Sequence, residues 1–316
     1  MKVITHQNIV DLNIAPRTCY EWVSQMIANK NEAILPAKIS MKLELGTFCN
    51  VMPSVVTAPD GVKYGGVKIV TRYPKRVPTL DSKLILFDAL SGDVKAIMDA
   101  GWITAMRTGA VAVHSLNLFA KKNYKTIGVI GLGNTARATM SVLSEVNDSS
   151  FNVKLLKYKG QENLFVDRFK NCNKFKFELC DTYKQVIEGS DVIISAATYL
   201  PDDLCEDNAY KEGILIIPIH TLGFTNCDLF FDKIFADDIG HVKHFKYFDK
   251  FKYFSEVSDV VNGKSVGREN DKERIMVYNI GVAMHDVYFA ANIYSMLRGS
   301  NCENIALDSP KEKFWI

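Results

Sequence analysis

The sequence predicts an α/β protein: a doubly wound parallel sheet in the second half of the chain, joined to an α+β domain at the N-terminus. Three observations carry this expectation. Strand-like runs separated by Pro and Gly turns fill the stretch from Ala37 to Met98. After Tyr124, apolar runs alternate with helical segments, the rhythm of a sheet covered by helices on both faces. A glycine-rich turn joins the first of these later strands to its helix.

The elements follow in order. Thr18–Asn29 places Tyr20, Val23, Met26 and Ile27 at helical spacing. Ala37–Leu43, Phe48–Pro53, Tyr64–Thr71, Lys83–Asp88 and Val94–Met98 read as strands of antiparallel hairpins. Ile103–Ala120, rich in Ala, Val and Leu, reads as a helix leading into the second domain. Strands then alternate with helices: Thr126–Ile130 and a helix from Thr135, Val153–Tyr158 and Glu162–Asn171, Phe175–Leu179 and Thr182–Glu188. Val192–Ala196, Ile214–Ile217 and Lys233–Ala236 continue the sheet. Val282–Leu297 is helical again and is expected to pack back on the first domain. The expected domains are therefore 1–118 plus 290–316, and 119–289.

A chain of 316 residues is long enough for two domains. Its net charge of +2 provides no global field for nucleic acid or anionic lipid. Its longest apolar runs, such as Asp191–Thr198 and Gly213–Ile219, fall far short of the roughly 20 residues that cross a bilayer. Met1–Leu12 lacks the pattern of a secretion signal, so a cytoplasmic protein is expected. The seven cysteines are odd in number, scattered and without a CxxC, as expected of free thiols in a reducing compartment. No ligand set for a metal stands out, and His241 and His244 read as a surface or loop pair.

The sharpest local signal is Gly131-Leu132-Gly133-Asn134-Thr135-Ala136, a GxGxxA directly after an apolar strand and before a helix. Gly131 permits the tight turn, Gly133 admits a pyrophosphate close to the backbone, and Ala136 keeps helix and strand together. The free N–H groups of the helix start then face the phosphates. This is the fingerprint of a Rossmann-type dinucleotide site. The second strand ends at Lys157-Tyr158-Lys159-Gly160, with no acidic residue at the tip to bind ribose hydroxyls. Lys157 and Lys159 would suit a 2′-phosphate, which favours NADP over NAD; the other reading is two lysines solvated at a strand end.

With these pieces in place the chain resembles the ornithine cyclodeaminase/mu-crystallin family, from the residues around Pro36 to Asp286. The pattern runs through Met52-Pro53, Gly65–Val70, Leu86–Gly92, Ile97–Ala100 and Arg107–Ala110. It continues through the glycine turn, Ser190–Thr198, Gly267–Asp271 and Gly281–Asp286. The resemblance implies an NAD(P)-dependent oxidoreductase that moves a hydride between nicotinamide and the α-carbon of an amino acid or imine, bound between the two domains. It implies a homodimer formed through the N-terminal domain. Lys68 is similar to the family lysine that holds the substrate carboxylate and polarises an imine. Arg107 is similar to the arginine that forks onto a carboxylate. Met52 joins them at the substrate, and Thr108, Ala197, Thr198 and Gly281 join the cofactor contacts. Asp191 would only cap its strand.

Two departures bear on the reaction. Lys38 stands where the family's cyclodeaminases have an arginine, keeping the charge but losing the planar fork. Thr225 stands where they carry the aspartate that accepts the amine proton, and threonine is no base near neutral pH. Asp228, three residues on, is the candidate replacement; its other reading is a helix cap. An amino-acid dehydrogenase or imine reductase is thus expected, with ornithine cyclodeaminase, or a nucleotide-binding protein with little turnover, as the alternatives.

Overall fold

The computed structural model describes residues 1–43, 46–197, 200, 202–220, 222–307 and 312–314. The first stretch forms β1 (Lys2–Ile4), α1 (His6–Asp11), α2 (Pro16–Ala28), β2 (Ile39–Lys42), β3 (Phe48–Thr57) and β4 (Lys63–Arg72). It continues through β5 (Leu80–Asp88), β6 (Val94–Asp99) and α3 (Gly101–Phe119). The glycine turn lies between β7 (Thr126–Ile130) and α4 (Asn134–Val146). Then come β8 (Phe151–Leu156), α5 (Gln161–Arg168), β9 (Phe175–Cys180), α6 (Tyr183–Ile187), β10 (Val192–Ser195) and β11 (Leu215–Pro218). The chain ends through α7 (Cys227–Phe230), β12 (Lys233–Ala236), α8 (Ile239–Val242), β13 (Phe254–Glu256), α9 (Val257–Val261), β14 (Ile275–Tyr278) and α10 (Ala283–Met296).

These elements form two units. The first comprises Met1–Ile14, Asn31–Ile103 and Ala283–Ile316; the second comprises Ala15–Lys30 and Thr104–Val282.

The first unit holds a six-stranded sheet in the order β1-β6-β5-β4-β3-β2. Its strands pair antiparallel, except that β1 runs parallel to β6. Side chains alternate between covered and part-exposed along β3, β4 and β5, as one buried face requires. The covered face carries Met52, Lys68, Val70, Leu84 and Leu86. Helix α10 lies over β3, β4 and β5. It approaches so closely at Gly66 that a β-carbon there would fall 2.9 Å from Val287 Cγ2. On the opposite face Ile39, Ile69 and Ile85 remain 59%, 41% and 39% exposed.

The second unit is built on an eight-stranded parallel sheet in the order β13-β12-β14-β11-β10-β7-β8-β9. Strands β10, β11, β12 and β14 are buried along their whole length, as in a sheet covered on both faces. The order reverses at β7, which lies between β8 and β10, and a doubly wound sheet has its binding crevice at this point. Asp191 fastens the amino edge of the sheet. It accepts from the backbone N–H groups of Lys125 and Thr126 at 2.7 and 3.0 Å and pairs with Lys121 and Lys211 at 2.8 and 2.7 Å. Burial alone would raise its pKa, but these four donors outweigh it and hold the carboxyl well below the usual range.

The expected boundaries need correction. Helix α2 belongs to the second unit because it packs on α4 and α9. Helix α3 belongs there from Thr104, since a β-carbon on Gly109 would fall 2.5 Å from the Thr139 nitrogen of α4, and Phe119 packs on Phe235 of β12. Helix α10 belongs to the first unit from Ala283, not from residue 290, because its first turns already cover β3 and β4. Strands β1, β13 and β14 were not expected from the sequence. All seven cysteines are free thiols. His241 is not a surface residue: its side chain is 8% exposed, with Nδ1 3.4 Å from Asp237 Oδ1, whereas His244 is exposed. Among the described residues no helix is long and apolar enough to cross a membrane and no cluster of metal-ligating side chains occurs.

Candidate functional site

In the second unit the glycine turn has the shape its spacing requires. Gly131 adopts φ +83°, and a β-carbon on it would lie 2.6–2.8 Å from the backbone of Ala196 and Ala197. The turn is therefore pressed onto the end of β10, where only glycine fits. Gly133, by contrast, faces open space: nothing lies within 4 Å of where its β-carbon would be. It is also the N-cap of α4, which has no side-chain cap and no acidic residue in its first turn. Asn134 and Thr135 form the first turn of that helix, and Ala136 is fully buried. Unsatisfied N–H groups, the positive helix end and room for a ligand thus coincide, as a pyrophosphate demands. These residues fit a dinucleotide.

The tip of β8 differs from its expected form. The sequence places no acid there, but the fold brings two. Glu162, from the first turn of α5, accepts the backbone N–H of Tyr158 at 2.9 Å, and Asp181, just after β9, pairs with Lys157 at 2.9 Å. That partner lifts the Lys157 pKa. Lys159 adopts φ +51° and lies over the Tyr158 ring. The local charge is thus less favourable to a 2′-phosphate than the lysines alone suggest.

Arg107 and Thr108 lie on α3. Arg107 is 6% exposed, and a β-carbon on Gly281 would lie 2.5 Å from its Nη1. Gly281, at φ +95°, donates its N–H to Asp237 Oδ2 at 2.5 Å. Gly281 therefore lies against the guanidinium, where a side chain would not fit. Thr108 donates its hydroxyl to the Thr104 carbonyl at 2.6 Å, so that proton is spent within its own helix. Thr198 lies outside the described residues.

Asp228 sits in α7, 2% exposed, and accepts a hydrogen bond from the Tyr278 hydroxyl at 2.7 Å. Burial pushes its pKa up to about 7; the Tyr278 bond opposes this and Asp203 adds to it. Thr225 donates its backbone N–H to Asp203 at 2.6 Å. A second polar pair, absent from the sequence reading, stands at the carboxyl ends of β10 and β11. Ser195 Oγ lies 2.7 Å from His220 Nε2. Burial holds the His220 pKa down at about 4, against a backbone hydrogen bond at Leu222.

In the first unit, Lys68 lies in mid-β4, directly opposite Met52 on β3. Its Nζ is 2.7 Å from Asp286 Oδ1, in the first turn of α10, and neither side chain is exposed. Met52 packs with Val70 and Ala283 beside this pair. Lys38 is half-buried immediately before β2. Asp286 belongs to the Gly281–Asp286 segment of the family pattern. Its signal was a carboxylate inside an apolar helix, which is costly unless a cation meets it.

The sequence profile of the ornithine cyclodeaminase/mu-crystallin family matches residues 3–301. The chain belongs to this family. Among its relatives, the nodulation efficiency protein NfeD of Rhizobium meliloti is 25% identical over 83% of this chain and 83% of its own length. A Δ1-pyrroline-2-carboxylate reductase of Bacillus cereus is 25% identical over 77% of this chain and 80% of its own. Among solved structures, Δ1-pyrroline-2-carboxylate reductase of Thermococcus litoralis, in complex with NADH and L-proline, matches with a TM-score of 0.83 at 20% identity. It covers 96% of this chain and all of its own, so the fold of this family member is that of the solved enzyme.

Proposed function

We propose that the chain is an NAD(P)-dependent oxidoreductase acting at the α-carbon of an amino acid or imine. The observation that carries this reading is the turn at Gly131–Gly133, closed against β10 on one side and open above an uncapped helix start on the other. The solved relative holding NADH and L-proline supports both the cofactor class and a cyclic imino or amino acid as substrate. When bound, the nicotinamide supplies or accepts the hydride. The chain's residues do the rest: Lys68 and Arg107 bind the substrate carboxylate, the latter as a fork. Met52 offers an apolar surface beside Lys68, and Lys38 adds a further cation. Fixing the substrate in this way contributes several kcal/mol to hydride transfer, about 7–11 in favourable cases.

Asp228 favours a second reading. A carboxyl that titrates near neutrality is matched to accept or donate a proton, and ornithine cyclodeamination needs such a group. A homodimer through the apolar sheet face of Ile39, Ile69 and Ile85 belongs to the same proposal. Light scattering at micromolar concentration should give twice the chain mass.

The test is calorimetric titration with NAD(H) and NADP(H), followed by nicotinamide absorbance in a screen of cyclic imines, amino acids, and keto acids with amines. Oxidation of reduced cofactor by a cyclic imino acid is expected. Arg107→Lys should lower turnover without changing cofactor affinity. Failure to bind either dinucleotide ends the reading. Ammonia release from ornithine without net change in cofactor, lost in Asp228→Asn, selects the cyclodeaminase.

A further inference from the structure

Each half of a doubly wound sheet takes one mononucleotide, on either side of the switch point. Here β7, β8 and β9 form the half whose tip carries Lys157 and Lys159, the adenosine side. Strands β10 and β11 begin the other half, so the loops at their carboxyl ends face the nicotinamide side. Ser195 ends β10, one residue before the Ala196–Ala197 backbone that presses on Gly131. His220 comes two residues after β11 ends at Pro218, and those two strands pair in register from Val192–Leu215 to Ser195–Pro218.

We propose that His220, oriented by Ser195, forms the nicotinamide-side contact of the dinucleotide site. This rests on the dinucleotide reading above.

The orientation is built in. Ser195 is fully buried, and its hydroxyl reaches His220 Nε2 at 2.7 Å. The imidazole lies nearly parallel to Phe224, at a centroid distance of 6.3 Å and an interplanar angle of 20°, and Phe224 is itself core. One ring nitrogen and one ring face are thus held by the protein. His220 as a residue is part-exposed.

Charge gives the pair a consequence. The oxidised nicotinamide ring is a cation and the reduced ring is neutral. An imidazolium at this place would repel the oxidised form selectively, whereas a neutral imidazole presents a polar surface to both. Burial keeps this histidine neutral across the physiological range. A lysine or arginine at position 220 would carry the charge that burial denies the imidazole.

The test is calorimetry on the full chain with whichever of NAD+ and NADP+ binds more tightly, with its reduced form, and with the matching fragment that lacks nicotinamide (ADP-ribose or its 2′-phosphate). The difference between cofactor and fragment reads the nicotinamide contact alone. In His220→Ala the oxidised cofactor should weaken roughly tenfold, about the worth of one good hydrogen bond, with the fragment unchanged within about twofold. His220→Lys should weaken the oxidised form more than the reduced form. Ser195→Ala, which leaves the ring in place, should shift the cofactor in the same direction by less. His220→Gln, which keeps a neutral partner for Ser195, serves if the alanine variant does not fold. An unchanged cofactor-to-fragment ratio in the folded His220 variants overturns the proposal and leaves the dinucleotide reading standing. Failure of the wild-type chain to bind cofactor and fragment alike removes both.

Discussion

Lys68 Nζ and Asp286 Oδ1 meet at 2.7 Å with both side chains fully buried, so the cation proposed to bind the substrate carboxylate is already matched by a carboxylate. Strand β4 supplies one charge and the first turn of α10 the other, where the helix dipole favours an anion. Removing one partner takes this ion pair away from the other buried charge. Asp286→Asn should therefore cost about 3–5 kcal/mol of stability. Lys68→Met combined with Asp286→Leu should recover most of that loss, because an apolar pair has no desolvation penalty to offset. The double variant should nonetheless show no turnover. Urea melts and steady-state rates on the same preparations check this; a double variant as unstable as the single one refutes the account of the pair.

The two glycines of the turn should respond in opposite ways. Gly133→Val meets open space, so it should change stability by less than about 1 kcal/mol while weakening dinucleotide binding at least tenfold. Gly131→Ala places a methyl against the Ala196–Ala197 backbone at positive φ, and should destabilise the fold by roughly 2–4 kcal/mol. Thermal melts beside cofactor titrations separate the two effects.

Asp228 gives a pH dependence of defined sign. Its pKa is about 7 in the fold and near 4 when unfolded, so between these values the native state holds the extra proton. Stability contributed by Asp228 therefore falls as pH rises through that window, and the full penalty stands above about 7. Asp228→Asn keeps an acceptor for Tyr278 and removes the charge. Its melting temperature relative to wild type should rise from pH 5 to pH 8; a constant difference would show that Asp228 does not titrate there.

Asp191 has the opposite sign. Its carboxyl is depressed, so its contribution is complete above the unfolded value near 4 and is lost as pH falls below it. Asp191→Ala leaves Lys121, Lys211 and two backbone donors without their common acceptor, and should cost about 3 kcal/mol at pH 7. Fluorescence melts at pH 7 and pH 3 should show the difference between variant and wild type shrinking in acid.

Much of this architecture was legible because strong periodic signals agree with the fold. The alternating strands from Phe48 to Met98, the apolar runs after Tyr124 and the GxGxxA turn all lie within a few residues of where they were expected. Strand β14 was missed because Ile275–Tyr278 is only four residues, buried throughout, and its apolar run has no period to distinguish it from a helix start. Strand β13 is a three-residue edge with no fully buried side chain. The boundary near residue 118 failed because α3 is apolar nearly all round, so its periodicity does not say which unit it joins; Gly109 on α4 decides that. Around the glycine turn the expected order of strand, tight turn and helix is present. The sequence did not show Asp181 arriving at the tip of β8, or Ser195 meeting His220, since both pairings come from strands brought side by side; Glu162, only four residues beyond Tyr158, arrives through the turn into α5.

The chain passes between its two units after Ile14, Lys30, Ile103 and Val282, which has a consequence for grafting and recombination. No single cut yields an intact dinucleotide-binding cassette. A chimera joined only near Thr104 and Val282 would take its α2 from another parent, together with residue 30. Lys30 closes a buried node with the Asp237 carbonyl, Asp238 and Glu256 at 2.8, 2.9 and 2.7 Å, so that donor would have to bring a lysine of its own. Relatives can exchange this half only as two matched pieces, and the short piece constrains which parents are compatible.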